Sequence, residues 1–118
     1  MDICSLIVGV KFDRHNWMID HEKLHDDILP SIRHLLATEF GGYTEVITTG
    51  GWINPDGHLV EEEGRQFTVL VDVSMPQYRK QINIFQFRCE CIGRMLNQHS
   101  IVRIIKGVAL IKEVPYPA

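Results

Sequence analysis

The sequence predicts an α+β fold, a ferredoxin-like βαββαβ sandwich in which two helices cover one face of a four-stranded antiparallel sheet. Four segments are rich in β-branched and aromatic residues, as strands are, and two carry apolar residues at helical spacing. These elements follow one another in the order strand, helix, strand, strand, helix, strand. The 118 residues form one domain by size, with a core over about residues 4–112 and a proline-containing tail at 113–118.

The first strand is predicted at residues 4–12, where both faces are apolar, as in a central strand. Asp20 can cap the helix that follows, because its carboxylate can accept a free backbone N–H. Pro30 interrupts this helix, so either the helix kinks there or a second helix begins with Pro30 in its first turn. Gly41 and Gly42 then end it.

An antiparallel pair of strands is predicted at residues 43–49 and 65–74, since both are β-branched and the second alternates apolar with polar residues. Residues 50–64 between them are expected to form a long loop containing two glycines, Trp52, an Asn-Pro-Asp-Gly turn and an acidic run. The composition of this loop suggests a functional role beyond packing, although its residues do not identify a ligand.

The second helix is predicted to begin at Ser74, which starts a capping-box spacing with a proline in the first turn. Residues 101–111 are rich in Val and Ile and are predicted as the last strand. Right-handed crossovers then place both helices on one face and set strands 4–12 and 101–111 side by side in the middle.

Because helices cover one face only, the other face of the two central strands is expected to be an exposed apolar patch that needs cover. Val102 and Ile104 are assigned to the helix face on this scheme, and Ile101 and Ile105 to the open face. A second copy of the chain is the simplest cover, which predicts a homodimer, and a small-molecule pocket between the two sheets is the more specific version. The alternative is that the 50–64 loop and the proline-containing tail fold back over this face.

Composition excludes several classes of function. The net charge of −3 offers no basic field for nucleic acid or an anionic membrane. No apolar run approaches the roughly 20 residues that span a bilayer, and the first residues lack the basic start of a signal peptide. We therefore expect a cytoplasmic protein, in which Cys4, Cys89 and Cys91 are free thiols.

The sequence contains no nucleophile motif, phosphate-binding loop or dinucleotide fingerprint, so no catalytic residue and no cofactor are predicted. His21 and His25 stand four residues apart and are a weak candidate pair for a metal ion. A third ligand at a diagnostic spacing is absent, and polar runs of this kind usually lie on a solvated helix face.

Charged residues on predicted strands provide the main candidates for ligand binding. Arg103 interrupts an apolar central strand and needs a partner, which Glu45, Glu61 or an anionic ligand could supply. Arg65 is a second charged residue on a predicted strand. Trp52 could pack over a sheet edge or stack on a ligand, while the acidic run at 61–63 is typical of a solvated segment.

Four motifs carry a resemblance: Gly50-Gly51-Trp52, the Asp56-Gly57 turn, Leu59-Val60 with the acidic residue after it, and Gln98-x-Ser100-Ile101-Val102-Arg103. Together they resemble a family of small uncharacterised bacterial domains over about residues 24–105. The resemblance implies an α+β ferredoxin-like fold with no established activity. Some members occur in exported or lipoprotein-like chains, whereas no export signal is seen here. The candidate ligand-binding residues are then Trp52, Glu61, Arg65, Gln98, Ser100 and Arg103.

Two functional hypotheses follow. The first is a non-catalytic binding or regulatory module that dimerises through its open sheet face. The alternative is a small dimeric enzyme that acts on an anionic small molecule in a pocket beside the 50–64 loop, with Arg103 holding the anion and a Glu or His as general base.

Overall fold

A computed structural model describes residues 1–115, which form an α+β fold with one antiparallel sheet and helices on one of its faces. The predicted α+β class is confirmed, whereas the predicted count of four strands is wrong because the sheet has five. In chain order the elements are β1 (Asp2–Gly9), α1 (His21–Lys23), a π-helical turn (Leu24–Ile28), α2 (Leu29–Phe40), β2 (Thr44–Ile53), β3 (Leu59–Val71), α3 (Tyr78–Met95), β4 (Ser100–Ile105) and β5 (Val108–Glu113).

The fifth strand arises because the predicted strand 101–111 folds back on itself. Lys106 and Gly107 have φ angles of 53° and 75°, so two consecutive left-handed residues make a tight hairpin turn between β4 and β5. The Val- and Ile-rich sequence on both sides of Gly107 obscured this turn, since it reads as one continuous strand. β5 pairs with β4 and becomes an edge of the sheet.

The strand order is β2-β3-β1-β4-β5, with all neighbours antiparallel. Strand β1 is therefore central and pairs with β3 on one side and β4 on the other, as predicted for the first and last strands. Its residues Cys4, Leu6 and Val8 face the helices and are almost fully buried.

The predicted facing of the last strand is wrong. Because Cys4 pairs with Ile105 and is buried under the helices, Ile105 and Ile101 face the helix layer as well. Val102 and Ile104 lie on the open face. The open face carries apolar side chains but is less uniformly apolar than expected, since Ser5 and Thr68 form a hydrogen-bonded hydroxyl pair there, 2.9 Å apart.

Pro30 lies in the first turn of α2, which is the second of the two predicted alternatives. The helix widens just before it, because the N–H of Leu29 donates to Leu24 in a π-helical turn. Asp20 caps α1 through a 2.8 Å hydrogen bond from the N–H of Lys23, as predicted. The left-handed Gly41 ends α2.

The second helix begins at Tyr78 and not at Ser74. The carboxylate of Asp72 accepts hydrogen bonds from the N–H and the hydroxyl of Ser74, which makes a turn in place of a helix start. Within residues 1–115, no helix has the length and apolar character needed to cross a membrane.

The segment 50–64 is a β-hairpin and not the predicted long loop. β2 continues through Trp52 to Ile53, and β3 returns from Leu59, so the two strands are longer than predicted. Asn54 closes the tip, because its side-chain oxygen accepts from the N–H groups of Asp56 and His58 at 3.0 and 2.9 Å.

The core lies between the sheet and the helices. Val114 is buried against Gly93 and Ile101, so the predicted tail starts too early, and residues 116–118 lie outside the described part. The buried apolar side chains are Cys4, Leu6, Val8, Val10, Leu24, Ile28, Leu29, Ile32, Leu36, Phe67, Val69, Val71, Phe85, Cys89, Ile92, Leu96, Ile101 and Val114.

Gly64 lies at a close approach of β3 to β1. A Cβ atom on Gly64 would stand 2.8 Å from the carbonyl oxygen of Val8 and 2.7 Å from Oγ1 of Thr48. We expect Gly64→Ala to lower the free energy of unfolding by about 1–3 kcal/mol, because the backbone of β1 must move. The change in the free energy of unfolding is measured by urea titration, with circular dichroism as the signal for unfolding.

Gly50→Ala is the matched control, since a Cβ atom there meets nothing within 4 Å. A Gly64→Ala protein as stable as the Gly50→Ala protein would contradict the close approach of β1 and β3.

Candidate functional site

Three of the six predicted ligand-binding residues line one groove on the open face, namely Trp52, Gln98 and Ser100. This open-face groove lies at the end of β1 and has a volume of about 330 Å³. Gly9 and Glu62 complete its floor. Concave sites of this size, with apolar walls and a few convergent polar groups, are typical of small-molecule binding.

The strand register explains why these residues meet. Gly9 pairs with Gly64, and Trp52 pairs with Val60, so all four lie at the same end of the sheet. Since side chains alternate along a strand, Glu62 shares the open face with Val60 and Gly64. Gly9 has no side chain, which leaves space above the backbone at this end.

Glu62 lies directly over that space. Its Oε1 atom is 2.7 Å from the point that a Cβ atom on Gly9 would occupy. The Oε1 atom of Gln98 lies 3.1 Å from the same point. A side chain at residue 9 would therefore push the Glu62 carboxylate aside and crowd the amide oxygen of Gln98.

Gln98 is held rigidly. It is only 8% exposed, and its Nε2 atom donates to the carbonyl oxygens of Phe12 at 2.7 Å and Leu96 at 3.1 Å. Both amide hydrogens are thus directed away from Gly9, which leaves the amide oxygen to face the groove. The left-handed Asn97 at the end of α3 turns the chain so that Gln98 takes this position.

Trp52 forms the side of the groove nearest the β2–β3 hairpin. Its side chain is 48% exposed and also lines a second cavity of about 260 Å³, which shares Ile7, Gly9 and Glu62 with the groove. The indole therefore offers an accessible aromatic surface beside a carboxylate.

The opposite wall is the connection after β1. Arg14 donates from Nη2 to the carbonyl oxygens of Gln98 at 2.6 Å and Val114 at 2.9 Å, which ties this connection to the end of α3. The carboxylate of Asp13 accepts from the N–H groups of His15 and Trp17. The groove thus has two acidic side chains and an arginine in its walls.

Arg65 lies elsewhere. It is buried on the helix face, where it bonds Glu45 at 3.2 Å and lies 3.6 Å from Glu63. Glu45 also accepts two hydrogen bonds from Arg33 of α2, at 2.7 and 3.0 Å. The hydrogen bond from Arg33, followed by the nearby positive charges, holds the pKa of Glu45 below its usual value.

Arg103 also lies on the helix face, since it pairs with the buried Leu6 of β1. Burial raises the pKa of the Cys89 thiol to about 12, and the nearby charge of Arg103 opposes that rise. Glu45, one expected partner of Arg103, is bound to Arg33 and Arg65 instead. The sheet therefore separates Arg103 and Arg65 from the open-face groove.

Glu61 projects from the opposite side of the hairpin to Glu62 and is exposed. Sequence reasoning chose Glu61 and missed Glu62 and Gly9. If the alternation of β3 is extended back through the acidic run, every second residue from Thr68 through Gln66 and Gly64 to Glu62 falls on the same face. This extension would have assigned Glu62 to the open face. That inference required the run to be a strand.

The remaining candidates give no catalytic constellation. The rings of His21 and His25 lie 4.3 Å apart, and in residues 1–115 no cluster of three or more possible metal ligands includes them. A metal at this pair stays a prediction. Cys4 and Cys89 are buried, and burial raises the pKa of Cys4 to about 11, so these thiols stay protonated near neutral pH.

No protein-family model and no curated protein matches the chain. Two solved structures are similar to it, both of a phage SAM lyase. The apo state aligns with a TM-score of 0.65 at 14% identity, over 99% of this chain and 92% of that one. The complex with S-methyl-5′-thioadenosine gives a TM-score of 0.63 at 14% identity, over 95% and 88%. The chain therefore shares its fold with these enzymes, while its place in the uncharacterised bacterial family stays a prediction.

Glu45 joins α2 to two strands, so its loss should weaken the fold. We expect Glu45→Gln to lower the free energy of unfolding at pH 7 by about 1.5–3 kcal/mol, because Arg33 and the buried Arg65 lose a charged acceptor. The pKa of Glu45 is lower in the folded state, so its stabilising effect is present above the unfolded pKa and fades as the pH falls.

Denaturant titrations between pH 3 and pH 7 test this, with the exposed Glu61→Gln as control. The difference between wild type and Glu45→Gln should shrink towards acid, whereas Glu61→Gln should follow wild type. A difference that is constant with pH would show that the carboxylate charge is not what stabilises this network.

Proposed function

We propose that the protein is a small enzyme that binds S-adenosylmethionine (SAM) in the open-face groove and cleaves it to S-methyl-5′-thioadenosine. The supporting observation is the groove itself, which combines an aromatic wall, a carboxylate and a fixed amide oxygen. It lies on a fold shared over nearly the whole chain with a SAM lyase. The comparisons support the second sequence hypothesis, a small enzyme, better than the first.

Trp52 is the residue we assign to the adenine ring. Its indole is half exposed and stands beside the groove, and flat aromatic side chains stack on nucleobases whatever the base. Ile7 and Val60, which line the same cavity, offer apolar surface to the ribose and the thioether methyl group.

The charge of the groove favours a cationic ligand over the expected anionic one. SAM carries a sulfonium, an ammonium and a carboxylate, so its net charge is positive. Glu62 and Asp13 supply two negative charges to the groove against the one positive charge of Arg14, whereas Arg65 and Arg103, the expected anion binders, lie on the other face of the sheet. Carboxylates that line a cleft raise the local concentration of cations.

The proposed reaction breaks the bond between the sulfonium sulfur and the amino-acid chain. The electron pair of that bond returns to sulfur, which becomes the neutral thioether of S-methyl-5′-thioadenosine. A lyase adds no water, so the four-carbon fragment completes its valence internally, either by bonding its own carboxylate oxygen or by losing a proton. The groove contributes by holding the substrate in a reactive conformation, since orientation alone can supply much of a rate enhancement.

Turnover of SAM tests the proposal. The purified protein should convert SAM to S-methyl-5′-thioadenosine, which chromatography with absorbance detection separates from its substrate. Trp52→Ala should raise KM by about 10- to 100-fold through lost stacking. Glu62→Gln should lower kcat/KM by a similar factor, because a charge that attracts the substrate is removed.

The control is Glu61→Gln, the neighbouring carboxylate on the other side of the hairpin, which should turn over SAM as wild type does. The absence of S-methyl-5′-thioadenosine at SAM concentrations well above cellular levels would refute the lyase activity. Equal losses in Glu61→Gln and Glu62→Gln would refute the groove as its site.

We also propose that the protein is a homodimer through the rest of the open face and acts in the cytoplasm. The apolar end of that face, away from the groove, carries Ile3 and Leu70 side by side, both more than half exposed. Ile104 continues it across β4. Exposed contiguous apolar surface of this kind is typical of an interface.

Sedimentation velocity at micromolar concentration tests the dimer. Wild type should sediment as a dimer, and Leu70→Glu should shift it to a monomer, because a charge on the buried patch of an interface is costly. Phe87→Glu is the control, since Phe87 is equally exposed but lies on α3, on the other side of the molecule. A wild-type monomer would refute the dimer.

A further inference from the structure

The geometry points to a primary ammonium subsite in the open-face groove, formed by the carboxylate of Glu62 and the amide oxygen of Gln98 above Gly9. This inference rests on the proposed function, and it assigns one of the two positive groups of SAM to named atoms. The groove would then recognise the amino-acid end of the substrate through its ammonium and not through its sulfonium.

The two oxygens lie close together. Oε1 of Glu62 and Oε1 of Gln98 lie 2.7 and 3.1 Å from the position of a Cβ atom on Gly9, so the two oxygens are near neighbours beside Gly9. One nitrogen in the groove can bridge oxygens this close through two N–H···O hydrogen bonds of ordinary length, about 2.9 Å. A group that bridges them by hydrogen bonds must be a donor, because both oxygens are acceptors.

Gln98 cannot reverse its amide to suit another ligand. Its Nε2 atom already donates to the carbonyl oxygens of Phe12 and Leu96, and the side chain is more than nine-tenths buried. Rotating the amide would break both hydrogen bonds and set its oxygen against two carbonyl oxygens. The acceptor character of this side of the groove is therefore fixed by the fold.

The chemistry of the two positive groups decides between them. An ammonium has three N–H donors and a full charge, so it satisfies a carboxylate and an amide oxygen at once. A sulfonium has no hydrogen on sulfur and makes no hydrogen bond to the amide. The paired acceptors thus match the ammonium, and Trp52 and Val60 are left to surround the sulfur and its methyl group.

Gly9 acts here as a positioning residue. A methyl group at residue 9 would press on both oxygens and move them out of the arrangement in which one ammonium can bond both. Gly9→Ala should therefore remove the subsite without altering any polar atom. This variant separates the geometry of the subsite from the charge of Glu62.

The test compares three probes by isothermal titration calorimetry: SAM, S-adenosylhomocysteine and S-methyl-5′-thioadenosine. S-adenosylhomocysteine keeps the ammonium but has a neutral sulfur, and S-methyl-5′-thioadenosine has neither positive group. We expect Glu62→Gln and Gly9→Ala each to weaken S-adenosylhomocysteine and SAM by about 10- to 100-fold. Binding of S-methyl-5′-thioadenosine should stay within about twofold of wild type, as should all three probes with Glu61→Gln.

Two results would overturn the subsite. If Glu62→Gln weakens SAM but not S-adenosylhomocysteine, the carboxylate recognises the sulfonium. If both variants weaken all three probes equally, Glu62 and Gly9 only shape the groove. A different result would refute only the lyase proposal: SAM and S-adenosylhomocysteine bind as expected, but SAM is not cleaved. Failure of both SAM and S-adenosylhomocysteine to bind wild type overturns the two proposals together.

Discussion

The close pairing of β1 with β3 is the constraint on which the rest of the molecule depends. On the helix side it sets Leu6 and Val8 against the core, and on the other side it brings Gly9 and Gly64 together. Because Gly9 has no side chain, the groove opens above the backbone at that end. The residues that stabilise the domain and the residues that form the groove are thus alternate members of the same strands.

The sheet also sorts the charges of the protein. Arg33, Arg65 and Glu45 form a network among α2, β2 and β3 on the helix face, where partly buried charges satisfy one another. On the open face the groove presents the acceptor oxygens of Glu62 and Gln98 close together beside Gly9. A strand residue that moved by one position would cross to the other face, which explains why Glu61 and Glu62 have such different surroundings.

Much of the fold followed from the sequence. Periodicity and turn residues predicted the α+β class, the central position of the first strand, the Asp20 cap and the left-handed end at Gly41. The turn at Lys106-Gly107 was missed because its flanks are strongly β-forming, and the hairpin at 50–64 was taken for a loop because glycines and charges lower strand propensity. Trp52, Gln98 and Ser100 could be selected from motifs, but their meeting with Gly9 and Glu62 depends on register, which sequence alone does not reveal.

The turn at Lys106-Gly107 has one more effect on the molecule. Because the turn adds β5, the edge of the sheet with free backbone hydrogen-bonding groups is β5 and not β4. This edge strand exposes Val108, Leu110 and Ile111. Such an outer strand is a template on which another chain can add, and natural proteins usually guard it with charge or proline. Here Lys112, Glu113 and Pro115 stand only at its far end. The stretch from Val108 to Ile111 is therefore an unguarded edge at which association of chains can begin at high concentration.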